Sequence, residues 1–157
     1  SGSRALLVET KGFAELEQAL GGLEKELTRR AVARRALKKA ADPMRAEIEA
    51  LAPEDEGVLK SAIAVGTRAN FGRRKSKAQR EQFGDVVEVF IGIDPAKETA
   101  QDKVVAYSIF VERGTSDTPA QPYFRPGWER DKLQALERIK AFLGPEIEKA
   151  AARQRKR

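Results

Sequence analysis

One run, Asp85 to Ile93 (DVVEVFIGI), has the β-branched, roughly alternating make-up of a strand and is closed by Asp94-Pro95. It sits between long stretches whose apolar residues recur every three to four positions, the stripe of an amphipathic helix. That combination limits the chain to a fold in which helices from both ends cover a small antiparallel sheet. The class it predicts is α+β.

Phe13, Leu16, Leu20, Leu23 and Leu27 make the first stripe, interrupted by Gly21-Gly22. A second helical stretch, from Thr28 to Leu51, would bury Val32, Leu37, Met44, Ile48 and Leu51. Asp42-Pro43 inside it fits two readings: an N-cap and first-turn proline that start a new helix, or a kink in one long helix. Ala52-Pro53 ends the stretch, and a polar turn follows at 53–57. Leu59, Ala62 or Ile63, and Val65 suit a strand of five or six residues. Together with 85–93 it would flank an exposed loop at 68–82, making a long basic β-hairpin. Residues 104–112 (VVAYSIFVE) read as a strand by β-branched content and as a helix by the spacing of Val104, Tyr107, Ser108 and Val111. Gly114 to Pro122 reads as a loop. A last helix begins near Arg125, with Trp128, Leu133, Leu136, Ile139 and Leu143 on one side. Gly144-Pro145 is expected to stop it before a charged tail at 145–157. With an N-terminal arm at 1–11, these segments are expected to form one domain over 1–157, with N-terminal helices and a C-terminal helix packed on the sheet. A chain of this size buries roughly two-thirds of its unfolded surface and needs no cross-links.

Cys and His are both absent. Disulfides, thiolate metal sites, Cys nucleophiles and His general bases are therefore unavailable. The glycines lack phosphate-loop grammar. Acidic pairs such as Glu54 with Glu56, or Glu146 with Glu148, stand where solvated turns and helix starts carry acids. No catalytic, metal or cofactor site is expected, and the chain reads as no enzyme. No apolar run reaches the roughly 18 residues that span a bilayer, and the start resembles no signal peptide, so no membrane partner is expected.

The net charge of +6 is concentrated in two segments. Arg68, Arg73, Arg74, Lys75, Lys77 and Arg80 fall within 68–80 with no acid among them, and Arg153, Arg155, Lys156 and Arg157 crowd the end. Without these ten, 20 basic residues face 24 acidic ones. The body is acidic and its projections are basic. Such a loop suits a polyanion or an acidic protein surface, and equally a solvated surface loop. Phe71 is its one aromatic, which gives little basis for a stacking platform.

The run Tyr107-Ser108-Ile109-Phe110-Val111-Glu112-Arg113-Gly114-Thr115 leads into Pro119-Ala120-Gln121-Pro122-Tyr123-Phe124-Arg125-Pro126. Upstream stands Leu51-Ala52-Pro53-Glu54-Asp55-Glu56-Gly57-Val58-Leu59-Lys60-Ser61-Ala62-Ile63. Both blocks, in this order, resemble the neck and tail-completion proteins that join head to tail in long-tailed, lambdoid-type siphophages. The resemblance spans about residues 12–143. It departs from the family pattern at Glu56, where Thr is usual, at Ser116-Asp117-Thr118, and in the basic stretch at 68–80.

The resemblance implies a structural virion protein, made in the host cytoplasm and placed in the phage neck. It implies a self-assembled ring, read as a hexamer, that meets the stopper, the tail terminator and the tail tube. The subunit or partner interface is then expected at Glu112, Arg113, Gly114, Thr115, Pro122, Tyr123 and Arg125, with the six cations of 68–80 as a second contact. In the motif itself, Gly114 permits a sharp reversal, and the prolines hold the next stretch extended. Phe124 and Trp128 are expected to pack internally, while Tyr123 suits either the core or a wet boundary. The alternative reading is a nucleic-acid-binding protein using the 68–80 loop and the basic tail, with steep salt dependence. A small RNA-cleaving toxin would need a compact basic face, and the acidic body argues against it.

Overall fold

A computed structural model describes residues 14–54, 58–83, 86–99, 101 and 103–156. The arm expected at 1–11, Phe13, Asp55 to Gly57, Asp85 and Arg157 lie outside the described residues. Among the described residues no helix is long and apolar enough to cross a membrane. The described residues are mostly helical with one two-stranded antiparallel sheet, the expected α+β class. The elements are α1 (14–21), α2 (Glu26–Leu51), α3 (Val58–Ala62), β1 (Ile63–Gly66), α4 (Lys77–Phe83), β2 (Phe90–Ile93), a 3-10 turn (Pro95–Lys97), α5 (Val104–Arg113) and α6 (Phe124–Arg155). They form two compact units, one from the described residues up to Ala40 with those from Leu133 on, and one from those between Ala41 and Lys132.

The first unit is helical. Leu23, Val32 and Ala36 are buried against Leu143, Ile147 and Ala150, with Leu16, Leu20 and Phe142 packed around them. Val32 is fully buried, which contributes about 1.5–3 kcal/mol relative to exposure. Leu27 departs from the first stripe: it is 81% exposed. The turn after α1, closed by Gly22 N–H to the Gln18 and Ala19 carbonyls, starts α2 in a new register that carries Leu27 outward. Glu146 also departs from expectation. It is buried, accepting from Arg35 Nε at 3.0 Å and Lys39 Nζ at 2.7 Å. The Lys39 ammonium first, and the Arg35 guanidinium next, hold its carboxyl down at about 2.

Both prolines expected to mark boundaries lie inside helices. Of the two readings of Asp42-Pro43, the single helix is the one found: α2 continues through Pro43, and Asp42 accepts from Arg45 Nε at 3.0 Å. Likewise α6 runs through Gly144-Pro145 instead of stopping there. An interior proline costs about 3 kcal/mol. Here the residues on either side of each proline are anchored: Ala40 and Met44 around Pro43, Leu143 and Ile147 around Pro145. Packing outweighs the lost hydrogen bond.

The second unit contains the sheet. β1 and β2 pair in the register Ile63↔Ile93, Ala64↔Gly92, Val65↔Ile91 and Gly66↔Phe90. Leu59, assigned above to the first strand, belongs instead to α3, where Leu59 and Ala62 bury one helical face. The second strand is shorter than Asp85–Ile93 because β1 ends at Gly66. Beyond it, Asn70 Oδ1 takes the Thr67 N–H at 2.8 Å and turns the chain away, leaving residues 86–89 without a ladder partner. Two strands alone are marginal in water. α3 and α5 pack against them.

Residues 104–112 are helical, the spacing outweighing the β-branched content. Val104 and Ser108 are buried on one face. Glu98 Oε2 accepts from Val105 N–H at 2.9 Å and serves as a cap from outside the helix. The loop expected at 68–82 contains α4. Ser76 Oγ accepts from Gln79 N–H at 3.3 Å, and Gln79 Oε1 accepts from Ser76 N–H at 2.9 Å, a reciprocal capping box that starts it.

Candidate subunit-contact site

α5 ends where Gly114 takes φ +79°, with its N–H donating to the Phe110 carbonyl at 2.7 Å. A Cβ there would lie 2.7 Å from Ala120 N, so glycine is required by conformation and by space. The loop then folds back on itself. Thr115 N–H donates to the Thr118 carbonyl and Gln121 N–H to the Val111 carbonyl, both at 2.8 Å, while Thr115 Oγ1 accepts from Thr118 N–H at 3.0 Å.

Glu112 holds the far end of that loop. Its Oε2 accepts from Tyr123 N–H at 2.8 Å and Phe124 N–H at 2.9 Å, and its Oε1 accepts from Arg125 N–H at 3.0 Å. These are the donors that the first turn of α6 leaves unpaired. Pro126 has none to satisfy, and Gly127 N–H reaches the Tyr123 carbonyl at 3.3 Å. Burial pushes the Glu112 carboxyl up, but the amides of Phe124, Tyr123 and Arg125, with the Arg125 charge, outweigh it and hold the group below its ordinary value. The Glu-x-Gly-Thr…Pro-Tyr-Phe-Arg-Pro pattern is thus one device: a carboxylate at the end of α5 caps α6.

Beside this clamp lies an open groove of about 610 Å³. Ile63, Phe71, Phe90 and Ile91 line its sheet side, Val105 and Ile109 its α5 side, and Tyr123 and Phe124 its end. Arg73, Arg113 and Arg125 stand among the apolar residues, with Glu98 and Glu112 engaged in capping. Tyr123 is buried at 3% exposure, and that burial pushes its phenol up, with Ser108 as its side-chain hydrogen-bond partner working the other way. Trp128, expected in the core, is 48% exposed. It follows Gly127, whose Cα faces Ile48 so closely that the neighbouring side chain is directed elsewhere.

The groove therefore joins Glu112, Arg113, Tyr123 and Arg125 with one member of the basic stretch, Arg73. Gly114, Thr115 and Pro122 are outside its lining, in the loop behind it. Arg68 is turned inward: it pairs with Glu88, with Nη2 to Oε1 at 3.1 Å, and its guanidinium lies 5.3 Å from the Phe90 ring centre. The Arg68 guanidinium holds the Glu88 carboxyl below its ordinary value. Lys75 approaches the same carboxylate at 3.9 Å. Arg74, Lys77 and Arg80 are exposed.

Sequence reasoning missed the apolar half of the site. In the sequence Phe71 suggests only a nucleic-acid stacker, yet it meets Phe90 edge-on with ring centres 6.5 Å apart. The available signal was α5 itself, whose residues Val104 to Val111 are apolar except for Ser108 and the hydroxyl of Tyr107. A helix apolar on every side needs cover on every side. Val105, Tyr107, Ile109 and Phe110 lack it, at 38–55% exposure.

A family model described as "Bacteriophage HK97-gp10, putative tail-component" matches residues 14–114 of the 157. The match takes in the Ala-Pro block and ends at the glycine of Glu-x-Gly-Thr. No curated protein and no solved structure matches the chain.

Proposed function

The chain belongs to the HK97-gp10-like family of bacteriophage tail components, and from that premise we propose that it is a ring-forming subunit of the neck of a siphophage, joining tail to head without catalysis. As a tail component its place is the virion. The observation that supports a subunit role is the uncovered side of α5. Four large apolar side chains in one short helix stay at 38–55% exposure, and patches of this kind mark interaction surfaces. The Glu112 clamp supports the same reading, because it fixes the groove before any partner arrives and lowers the ordering cost of association. The stopper, the tail terminator and the tail tube are the proposed neighbours.

The test is deletion of the gene from its phage, followed by electron microscopy of the lysate. Filled heads and separate tails are expected, with joining restored by the chain supplied in trans. Joined, infectious particles from the deletion would end this reading. Light scattering of the purified chain across concentration and salt tests the ring separately.

A further inference from the structure

β2 has β1 on one side and, among the described residues, no strand on the other. Asp94 N–H donates to the Ala62 carbonyl at 2.8 Å, one step beyond the pair Ile63↔Ile93. Hydrogen-bonded pairs alternate along an antiparallel ladder, so Phe90 and Gly92 turn their peptide groups to β1 while Ile91 and Ile93 turn theirs outward. The groove follows that outer edge. A Cβ at Gly66 or Gly92 would lie 3.1 Å or 3.6 Å from the Phe71 ring, which places Phe71 over one face of the sheet. Ile63, Ile91 and Ile93 belong to the other face by the alternation of the strands, yet all four line the groove. A channel bordered from both faces of β2 passes along its edge.

Charge narrows the occupant. Arg73, Arg113 and Arg125 border the groove and are exposed, and among the described residues none has a carboxylate within salt-bridge distance. Arg125 acts on Glu112 and Glu129 only through space, and Glu129 is held by Lys132 at 2.7 Å. The carboxylates of the groove itself, Glu98 and Glu112, are taken by backbone amides. We infer that the groove takes an extended segment of a partner protein, apolar at alternate positions and acidic beside them, as a third strand on β2. Ile91 and Ile93 supply the main-chain hydrogen bonds, the apolar walls take every second side chain, and the arginines take the acids. This inference rests on the assembly reading and names the class of segment that its contact site accepts.

The probe is a labelled peptide, acetyl-Glu-Val-Thr-Val-Thr-Val-Glu-amide, titrated into the full chain by fluorescence anisotropy, with amide hydrogen exchange followed by NMR. Saturable binding is expected, weaker by about tenfold or more when Lys replaces both Glu, or when Pro, which has no N–H, replaces the central Val. In the complex the Ile91 and Ile93 amides should exchange about tenfold more slowly. The double variant Arg73→Glu with Arg113→Glu should reverse the preference, from the Glu peptide to the Lys peptide, which a merely damaged groove would not do. Binding that leaves Ile91 and Ile93 exchange unchanged, equal binding of the Glu and Lys peptides, or no binding of any peptide overturns the proposal. So does protection of these amides that rises with protein concentration in the absence of peptide, which would give the edge to a second copy. Unjoined heads and tails from the gene deletion would stand in each of these cases, so the two readings fail separately.

Discussion

Replacing Glu112 with Gln keeps the side chain's size but exchanges one carboxylate oxygen for an NH2 that cannot accept. Either Arg125 N–H, or the Tyr123 and Phe124 pair, then loses its acceptor. The expected loss is about 1–2 kcal/mol, the scale of a removed helix cap. It should appear as a lower urea midpoint at an unchanged slope. Because the folded Glu112 sits below its ordinary carboxyl value, its stabilisation is complete above that value and declines as pH falls below it. Glu112→Gln should flatten that part of the stability–pH profile, and an identical profile would show that the charge does not cap. Gly114→Ala tests the other half of the device. Positive φ costs about 1–3 kcal/mol for a residue with a Cβ, and the contact with Ala120 adds to it. A midpoint equal to that of the parent protein would contradict the loop geometry.

Between elements, Gly127 decides how close α6 comes to α2. Alanine in an open helix position stabilises by about 1 kcal/mol over glycine. At Gly127 a Cβ would lie 2.5 Å from Ile48 Cγ1 and 2.9 Å from Ile48 Cα, so the backbone itself must move. Overpacking of about 1–3 kcal/mol outweighs the propensity gain, and Gly127→Ala is expected to lower the melting temperature. The opposite sign would mean that the helices can separate freely. Glu146 makes a second inter-element tie, from α6 to α2, and its carboxyl is held at about 2 against an ordinary 4.5. Its stabilisation is therefore whole above about pH 4.5 and lost as pH falls toward 2. Glu146→Gln should cost about 1.5–3 kcal/mol at neutral pH, and urea unfolding should show the gap to the parent chain narrowing at pH 3. A constant gap would mean that the charge is not what matters. Periodicity made Val32, Met44, Ile48 and Leu143 legible, because each repeats along one face of a long helix. It misled where the chain changes direction or compensates. Leu27 fits the stripe only if α1 and α2 share a register, and the turn at Gly22 breaks it. Pro43 and Pro145 read as ends, since local sequence carries no record of the packing that offsets an interior proline. Ser76-x-x-Gln79 was a readable helix start, hidden among cations that invite only a charge argument. Glu112 was readable as a motif, but its role as the cap of another helix depends on a fold-back that spacing does not encode.

For the whole molecule, the sign and placement of charge decide what the basic stretch can do. The six cations are not equivalent. Arg68 and Lys75 are turned to Glu88, and reversing either would set like charges together inside the second unit. Arg73, Arg74, Lys77 and Arg80 are exposed and separate folding from assembly. Glutamate at position 77, in the first turn of α4, even complements the helix dipole. The quadruple reversal of these four to Glu should therefore leave far-UV circular dichroism intact, with about 0.5 kcal/mol or less of stability change per site. Its effect belongs to association: each 1.4 kcal/mol of lost contact lowers a binding constant about tenfold. Supplied to a phage lacking the gene, the reversed chain should fold yet leave most heads and tails unjoined. Arg68→Glu should instead lower the urea midpoint and fail through instability. Normal particle yield from the quadruple variant would remove the basic stretch from assembly and leave it as a solvated surface. A yield that falls only in step with the urea midpoint would assign these charges to the fold.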